Sequence, residues 1–171
     1  MEYLRWIASG MILLSSTWVG LHAALRLRKT DEQLRELCTA LERMTGELHY
    51  AGTPFVPLCQ RMADSARGEV RVFFSVLRRE AARPEGGNPG LTELAAREAG
   101  LLLPQPGLLA LERLFDRFGC EDLETQVGQL RLAAEELSRL SEELRRQLAG
   151  KCRSYQLLGL TTGAAILVLV L

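Results

Sequence analysis

Side chains able to support catalysis are few in this chain of 171 residues, and they lie far apart. Nucleophilic catalysis needs a serine or cysteine beside a base, and His49 is the only histidine outside the apolar N-terminal segment. The adjacent acids Glu135 and Glu136, and Glu142 and Glu143, have the groups for acid–base chemistry. Within a densely charged helix, however, such pairs are typical of a solvated face. The sequence therefore predicts no catalytic site, and an enzyme is the least favoured class of function.

Metal, cofactor and nucleic-acid sites are also not expected. No P-loop motif is present, and the glycines near residue 87 have no lysine after them with which to hold a phosphate. The 21 basic and 21 acidic residues give a formal net charge of zero, which argues against nucleic-acid binding. The sequence predicts no small-molecule substrate. The four cysteines are widely spaced and include no C-x-x-C pair, which predicts free thiols rather than a zinc site: Cys38, Cys59, Cys120 and Cys152.

Charge is distributed unevenly along the chain. No Asp, Glu, Lys or Arg occurs in the 20 residues Trp6–Leu25 or in the 18 residues Ser154–Leu171. A helix of 20 residues is roughly 30 Å long, about the thickness of the hydrocarbon core of a bilayer. We therefore expect four segments: a short extracytosolic N-terminus (1–5), a first transmembrane helix (6–25), a cytosolic helical domain (26–153) and a second transmembrane helix (154–171).

Basic residues near these apolar segments predict their orientation. Nine lie close to them on the side of the central domain, against Arg5 alone on the other side, so the positive-inside rule places the domain in the cytosol. A cleaved signal peptide is the alternative for the first segment. Its apolar stretch is longer than the about 7 to 15 residues usual for such signals, and no A-x-A site follows it. The expected interface anchors are Tyr3, Trp6, Arg26, Arg28, Lys29, Lys151, Arg153 and Tyr155.

Small residues in the two apolar segments form weak association motifs. Gly159 and Gly163 make a GxxxG pattern in the second, and Ser16, Gly20 and Ala24 form a ridge of small residues in the first. The two segments can pair within one chain or between chains, and the sequence does not favour either arrangement.

The central domain has the pattern of an all-α bundle of about six helices. Apolar residues recur at spacings of three and four, and no segment shows the sustained alternation of a strand. The first and last helices continue from the apolar segments without a break, and the last carries a heptad seam interrupted only by Ser141. We expect these two helices to pack together. The predicted helices cover 31–50, 54–66, 69–82, 91–99, 108–118 and 119–150, with breaks at 83–90 and 101–107.

The order of these features resembles the stage III sporulation protein AB family of endospore-forming bacteria. The matching stretches are SSTWVGL (15–21), LRELCTALERMTGELHYAGTPF (34–55), LFDRFGCEDLETQ (114–126) and YQLLGLTTGAAILVLVL (155–171). Within them, ELHYAGTP (47–54) is the most specific.

This resemblance implies a multi-pass protein of the mother-cell membrane around the forespore. It also implies a cytosolic domain similar to that of the type II secretion and type IV pilus platform proteins. The implied partners are the family's secretion-type ATPase, stage III sporulation protein AA, and the other channel components of the same operon. The competing hypothesis is a two-span membrane regulator or assembly chaperone that acts on another membrane protein without an ATPase.

Overall fold

The computed structural model describes the backbone of residues 2–83, 90–115, 118 and 122–170, and the side chains of residues 25–83, 90–115, 118 and 122–147. Within these residues the fold is entirely helical. The six helices are α1 (Glu2–Ala51), α2 (Phe55–Ser65), α3 (Gly68–Ala81), α4 (Leu91–Ala99), α5 (Gln105–Phe115) and α6 (Leu123–Val170). The expected all-α fold is therefore confirmed for the described residues.

The chain divides into two compact units. One contains the two ends of the chain, Met1–Lys29 and Glu143–Leu171, and the other contains Thr30–Glu142. The second unit holds most of the predicted cytosolic domain, and we call it the helical domain.

Within the helical domain α1 and α6 pack together in antiparallel directions, as the leucine stripes predict. Near the start of the domain, the Ser141 hydroxyl donates a hydrogen bond to Asp31, with an Oγ–Oδ1 distance of 2.5 Å. Further along α1, the Cys38 thiol donates to the carbonyl of Ala134 at 3.6 Å. Later residues of α1 thus meet earlier residues of α6. The seam between them is apolar and buried at Leu34, Leu37, Leu41, Met44, Val127, Leu130, Ala134 and Leu137.

Ser141 does not weaken the seam in the way that its place in the heptad suggests. Its side chain is 6% exposed, and its hydroxyl is bonded to the carboxylate of Asp31. Asp31 also forms an ion pair with Arg35, one turn later on α1, at 3.2 Å. The interruption of the leucine pattern is therefore a polar contact between the two long helices, and no local pattern in the sequence predicts Asp31 as its partner.

Helix α5 begins three residues earlier than the sequence predicts. Pro106 and Gly107 led us to expect a break through residue 107, yet both lie in the first turn, where the missing N–H of proline costs no helical hydrogen bond. Gly107 lies tightly against the two long helices. A Cβ atom there would stand 3.2 Å from Leu137, 3.3 Å from Leu140 and 3.8 Å from Leu34. Glycine lets α5 approach the α1–α6 pair closely.

The α1–α2 turn contains Gly52 and Thr53, which the sequence predicts as a helix end and a helix cap. Gly52 has φ +56°, the left-handed conformation that ends many helices, and its N–H donates to the carbonyl of Leu48. We expected Thr53 to cap α2, but Pro54 precedes the first helical residue and no side chain caps it. Thr53 is instead buried, with 7% of its surface exposed.

Aromatic rings join α2, α3 and α5 into one cluster. Phe115 is central, with ring centroids 5.9 Å from Phe55, 6.0 Å from Phe73 and 6.4 Å from Phe74. Phe118 lies 4.7 Å from Phe55 and 6.2 Å from Phe115. All five phenylalanines of the chain thus belong to the cluster.

An exposed ion pair joins α3 to α4. The Arg79 guanidinium donates to both carboxylate oxygens of Glu98, at 3.0 and 2.7 Å. These hydrogen bonds hold the pKa of Glu98 below its ordinary value. Arg79 also contacts Glu80, which is 9% exposed and bonded to Arg83 as well. Most of the predicted loop after α3, residues 84–89, lies outside the described residues.

Both apolar segments predicted to cross a membrane have helical backbones, in the first half of α1 and the second half of α6. Their side chains lie outside the described residues, except for that of Leu25. Among the residues that the structure describes, no helix is long and apolar enough to cross a membrane.

Candidate partner-binding surfaces

The concave surfaces of the described part of the helical domain include two open grooves, and this part has no group of side chains suited to a metal ion. No set of three His, Cys, Asp or Glu side chains in this part of the chain could hold a metal. Burial raises the pKa of the Cys38 thiol to about 11 and that of the Cys59 thiol to about 12, so both stay protonated at neutral pH. The surfaces with shape and exposed chemistry are therefore the grooves.

The α1–α2 groove lies between the C-terminal part of α1 and α2. Its volume is about 500 Å³, and its lining residues are Arg43, Gly46, Glu47, Tyr50, Ala51, Arg61, Met62 and Ser65. Met62 is 2% exposed and belongs to the buried core. The space beside Gly46 is open, since a Cβ atom there would have no other atom within 4 Å.

Tyr50 is the most exposed large side chain of this groove. It is 88% exposed, and its ring meets that of His49 edge to face at a centroid distance of 5.0 Å. Tyrosine offers a large apolar ring with a polar end, and it is enriched among the residues that dominate binding energy in protein interfaces. An exposed tyrosine in the lining of an open groove is therefore suited to contact another protein.

Charge in the α1–α2 groove is not balanced. Glu47 and Arg61 form an ion pair that bridges the two helices. Arg43 is exposed and has no ion-pair or hydrogen-bond partner among the described residues. The groove therefore presents one unpaired cation, which favours an acidic group on whatever binds there.

The α5–α6 groove has a volume of about 770 Å³. Its lining residues are Ala110, Arg113, Leu114, Gln129, Leu132, Ala133, Glu135, Glu136 and Arg139. Leu132 is 67% exposed, although the neighbouring seam residues Leu130 and Ala134 are buried. Leucine at this position is the one sequence signal that could have revealed the groove, because it lies outside the heptad register.

A family model described as stage III sporulation protein AB matches residues 5–171. The chain belongs to this family. Stage III sporulation protein AB of Bacillus subtilis (strain 168) is 21% identical over 170 residues, covering 98% of this chain and 99% of that protein. A solved structure of stage III sporulation protein AB (SpoIIIAB) matches with a TM-score of 0.62 and 20% identity, over 71% of this chain and 97% of that chain. That structural likeness shows a shared fold.

The stretches that carry the family resemblance include parts of both grooves. Residues 34–55 cover the second half of α1 and the first residue of α2, so they contain Glu47 and Tyr50. Residues 114–126 begin with Leu114, which lines the α5–α6 groove, and then include Phe115 at the centre of the aromatic cluster. Residues 116, 117 and 119–121 of this stretch lie outside the described residues.

The structure describes the side chains of only three predicted interface anchors. Arg26, Arg28 and Lys29 are exposed on α1. The other predicted anchors and the residues expected to pack the spans have no described side chains: Tyr3, Trp6, Ser16, Gly20, Ala24, Lys151, Arg153, Tyr155, Gly159 and Gly163. Their roles stay predictions.

Proposed function

We propose that this chain is a platform component of a sporulation-specific, secretion-like channel, and that it docks a secretion-type ATPase in the cytosol. Family membership supports a role in sporulation. The observation that carries the docking role is the α1–α2 groove, where Tyr50 is 88% exposed within the stretch that carries the family resemblance. A surface of this kind, in a domain with no described catalytic grouping, is suited to holding a partner.

Two membrane spans, 6–25 and 154–171, anchor the platform in the mother-cell membrane in this proposal. The absence of charge from both segments supports it, as does the excess of basic residues on the side of the central domain. A reporter fused within residues 84–89 should be active only in the cytosol. Activity of a reporter that works only outside the cytosol, fused at the same place, would show the opposite topology.

The unpaired positive charge of Arg43 predicts a negative charge on the facing surface of the ATPase. The expected ATPase is the family's stage III sporulation protein AA. We expect an acidic or polar segment of it to lie against Tyr50 and Arg43. Interfaces of this kind gain on-rate and specificity from charge, so binding should weaken as salt is raised. The other channel components of the same operon would assemble around the anchored chain.

Co-purification of the full chain with the ATPase from detergent-solubilised membranes tests this proposal. Tyr50→Ala should reduce the retained ATPase at least about tenfold, because truncating a central aromatic contact often costs more than about 2 kcal/mol. Val72→Ala is the matched control, since Val72 is 43% exposed on α3, outside both grooves. Equal retention by the two variants, or no retention by the unchanged chain at low salt, would contradict the proposal.

The regulator or chaperone hypothesis predicts a different result. Replacing Gly159 and Gly163 by leucine would disrupt the membrane complex through the second span, while binding of the ATPase would be irrelevant to function. Assembly of an active complex in cells that lack the ATPase would favour this hypothesis.

A further inference from the structure

The α5–α6 groove carries four charged residues that have no partner in the described part of the chain. Arg113, Glu135 and Arg139 are exposed and Glu136 is half-buried, and none of the four makes a hydrogen bond or ion pair with another described residue. Glu135 and Arg139 are spaced i,i+4 in the order that favours a pair within one helix, yet they form none. Their charges remain available to a neighbour.

Exposed leucines lie near these charges on both helices, and Leu132 is the one that lines the groove. Leu132 is three or four residues before Glu135 and Glu136, so all three share one strip of α6. On α5, Leu109 is 44% exposed and stands four residues before Arg113, again on one helix face. An apolar centre with a charged margin is the usual composition of a protein interface.

The charges of this groove suit pairing with a second copy of the same groove. Two arginines and two glutamates give the patch no net charge, so a strongly acidic or strongly basic partner would meet equal repulsion and attraction. A second copy of the same surface, turned about a two-fold axis, can set each sign against the other. The α1–α2 groove lacks this property, because its one unpaired charge, Arg43, would face its own copy.

We propose that two copies of this chain associate through the α5–α6 groove around a two-fold axis. Leu132 of each copy packs against the groove of the other, and Arg113 and Arg139 of one copy face Glu135 and Glu136 of its partner. This pairing goes beyond the proposed function and does not depend on ATPase docking.

Photo-crosslinking of the full chain in membranes tests the pairing directly. Two copies with different epitope tags are co-expressed, each with p-benzoylphenylalanine at position 132. The expected product has twice the monomer mass and carries both tags. The matched control has the same group at position 94, because Leu94 is 47% exposed on α4 and lies outside both grooves. Absence of the doubly tagged product, its equal formation from position 94, or an adduct with a different protein alone would overturn the proposal.

Charge reversal separates a two-fold contact from chance proximity. The variant Arg113→Glu/Arg139→Glu presents four acids, and the variant Glu135→Arg/Glu136→Arg presents four bases, so each should repel its own copy. Each variant alone should lose at least about fivefold of the crosslinked product, and co-expression of the two should restore it. Helical circular dichroism checks that both variants fold. Loss without restoration in folded variants, or no loss in either, would also overturn the pairing.

Discussion

The hydrogen bond between Ser141 and Asp31 predicts an effect of Ser141→Ala on stability that is opposite in sign to the effect predicted by the heptad pattern alone. As an interruption of a leucine seam, Ser141 looks like a weak point whose replacement by an apolar residue should stabilise the domain. In the structure its hydroxyl donates to a carboxylate that is 14% exposed, so the change to alanine leaves that carboxylate with fewer donors. We expect Ser141→Ala to destabilise the helical domain.

The magnitude follows from two opposing terms. A hydrogen bond to a charged group contributes about 1.5–3 kcal/mol, and alanine gains up to about 0.5 kcal/mol over serine in helix propensity. The net loss should therefore be about 1–2.5 kcal/mol. For a domain of about this size, each kcal/mol lost lowers the midpoint of thermal unfolding by roughly 4 °C.

Urea unfolding of the full chain in detergent micelles, followed by far-UV circular dichroism, measures this loss. Ser138→Ala is the matched control, because Ser138 is exposed one turn earlier on α6 and should change stability by less than about 0.5 kcal/mol. A double-mutant cycle with Asp31→Ala isolates the contact and should give a coupling energy of about 1.5–3 kcal/mol. A coupling energy below about 0.3 kcal/mol, or stabilisation by Ser141→Ala beyond that of the control, would refute this reasoning.

Three further changes test other parts of the fold. Phe115→Ala should lower the free energy of unfolding in urea by about 3–5 kcal/mol, because four other rings surround that side chain. A loss as small as that expected for an exposed side chain would contradict this packing. Asp122 accepts hydrogen bonds from the hydroxyl and amide of Thr125, which lowers its pKa. The stabilising effect of Asp122 should thus be present above the unfolded-state pKa and lost as pH falls through the folded-state pKa. The difference in stability between the unchanged chain and Asp122→Ala should therefore shrink in acid. A difference that stays constant with pH would argue against these hydrogen bonds. Burial raises the pKa of the Cys59 thiol to about 12, so iodoacetamide should label Cys59 only in unfolding concentrations of urea. Peptide mass spectrometry measures this labelling. Rapid labelling of the folded chain would contradict the burial of Cys59.

The framework of the fold could be predicted because it depends on local patterns. The spacing of Leu34, Leu37 and Leu41 predicts one buried face of α1, and these residues are all fully buried. Gly52 is required where the chain must turn with positive φ, and it ends α1 as expected. Such features depend on a few neighbouring residues, so a single sequence contains the information.

The start of α5 could not be predicted in the same way, because its cause lies far away in the sequence. Pro106 and Gly107 are typical of a break, and local propensity alone favours one. In the structure Gly107 is buried, and the approach of α5 to Leu137 and Leu140 leaves little room for a side chain there. The same pair of residues that suggests a loop therefore permits a close helix contact.

The binding surfaces were less visible in the sequence than the core, and α6 shows why. One side of this helix carries Leu130 and Leu137 in the regular seam, and their burial follows from their spacing. The α5–α6 groove uses residues outside the seam, where Leu132 stands among Glu135, Glu136 and Arg139. In sequence, mixed charges with one leucine look like a solvated face. Only the packing of α5 against α6 encloses a groove there and brings Arg113 to its margin, so this surface depends on tertiary structure and not on any local pattern.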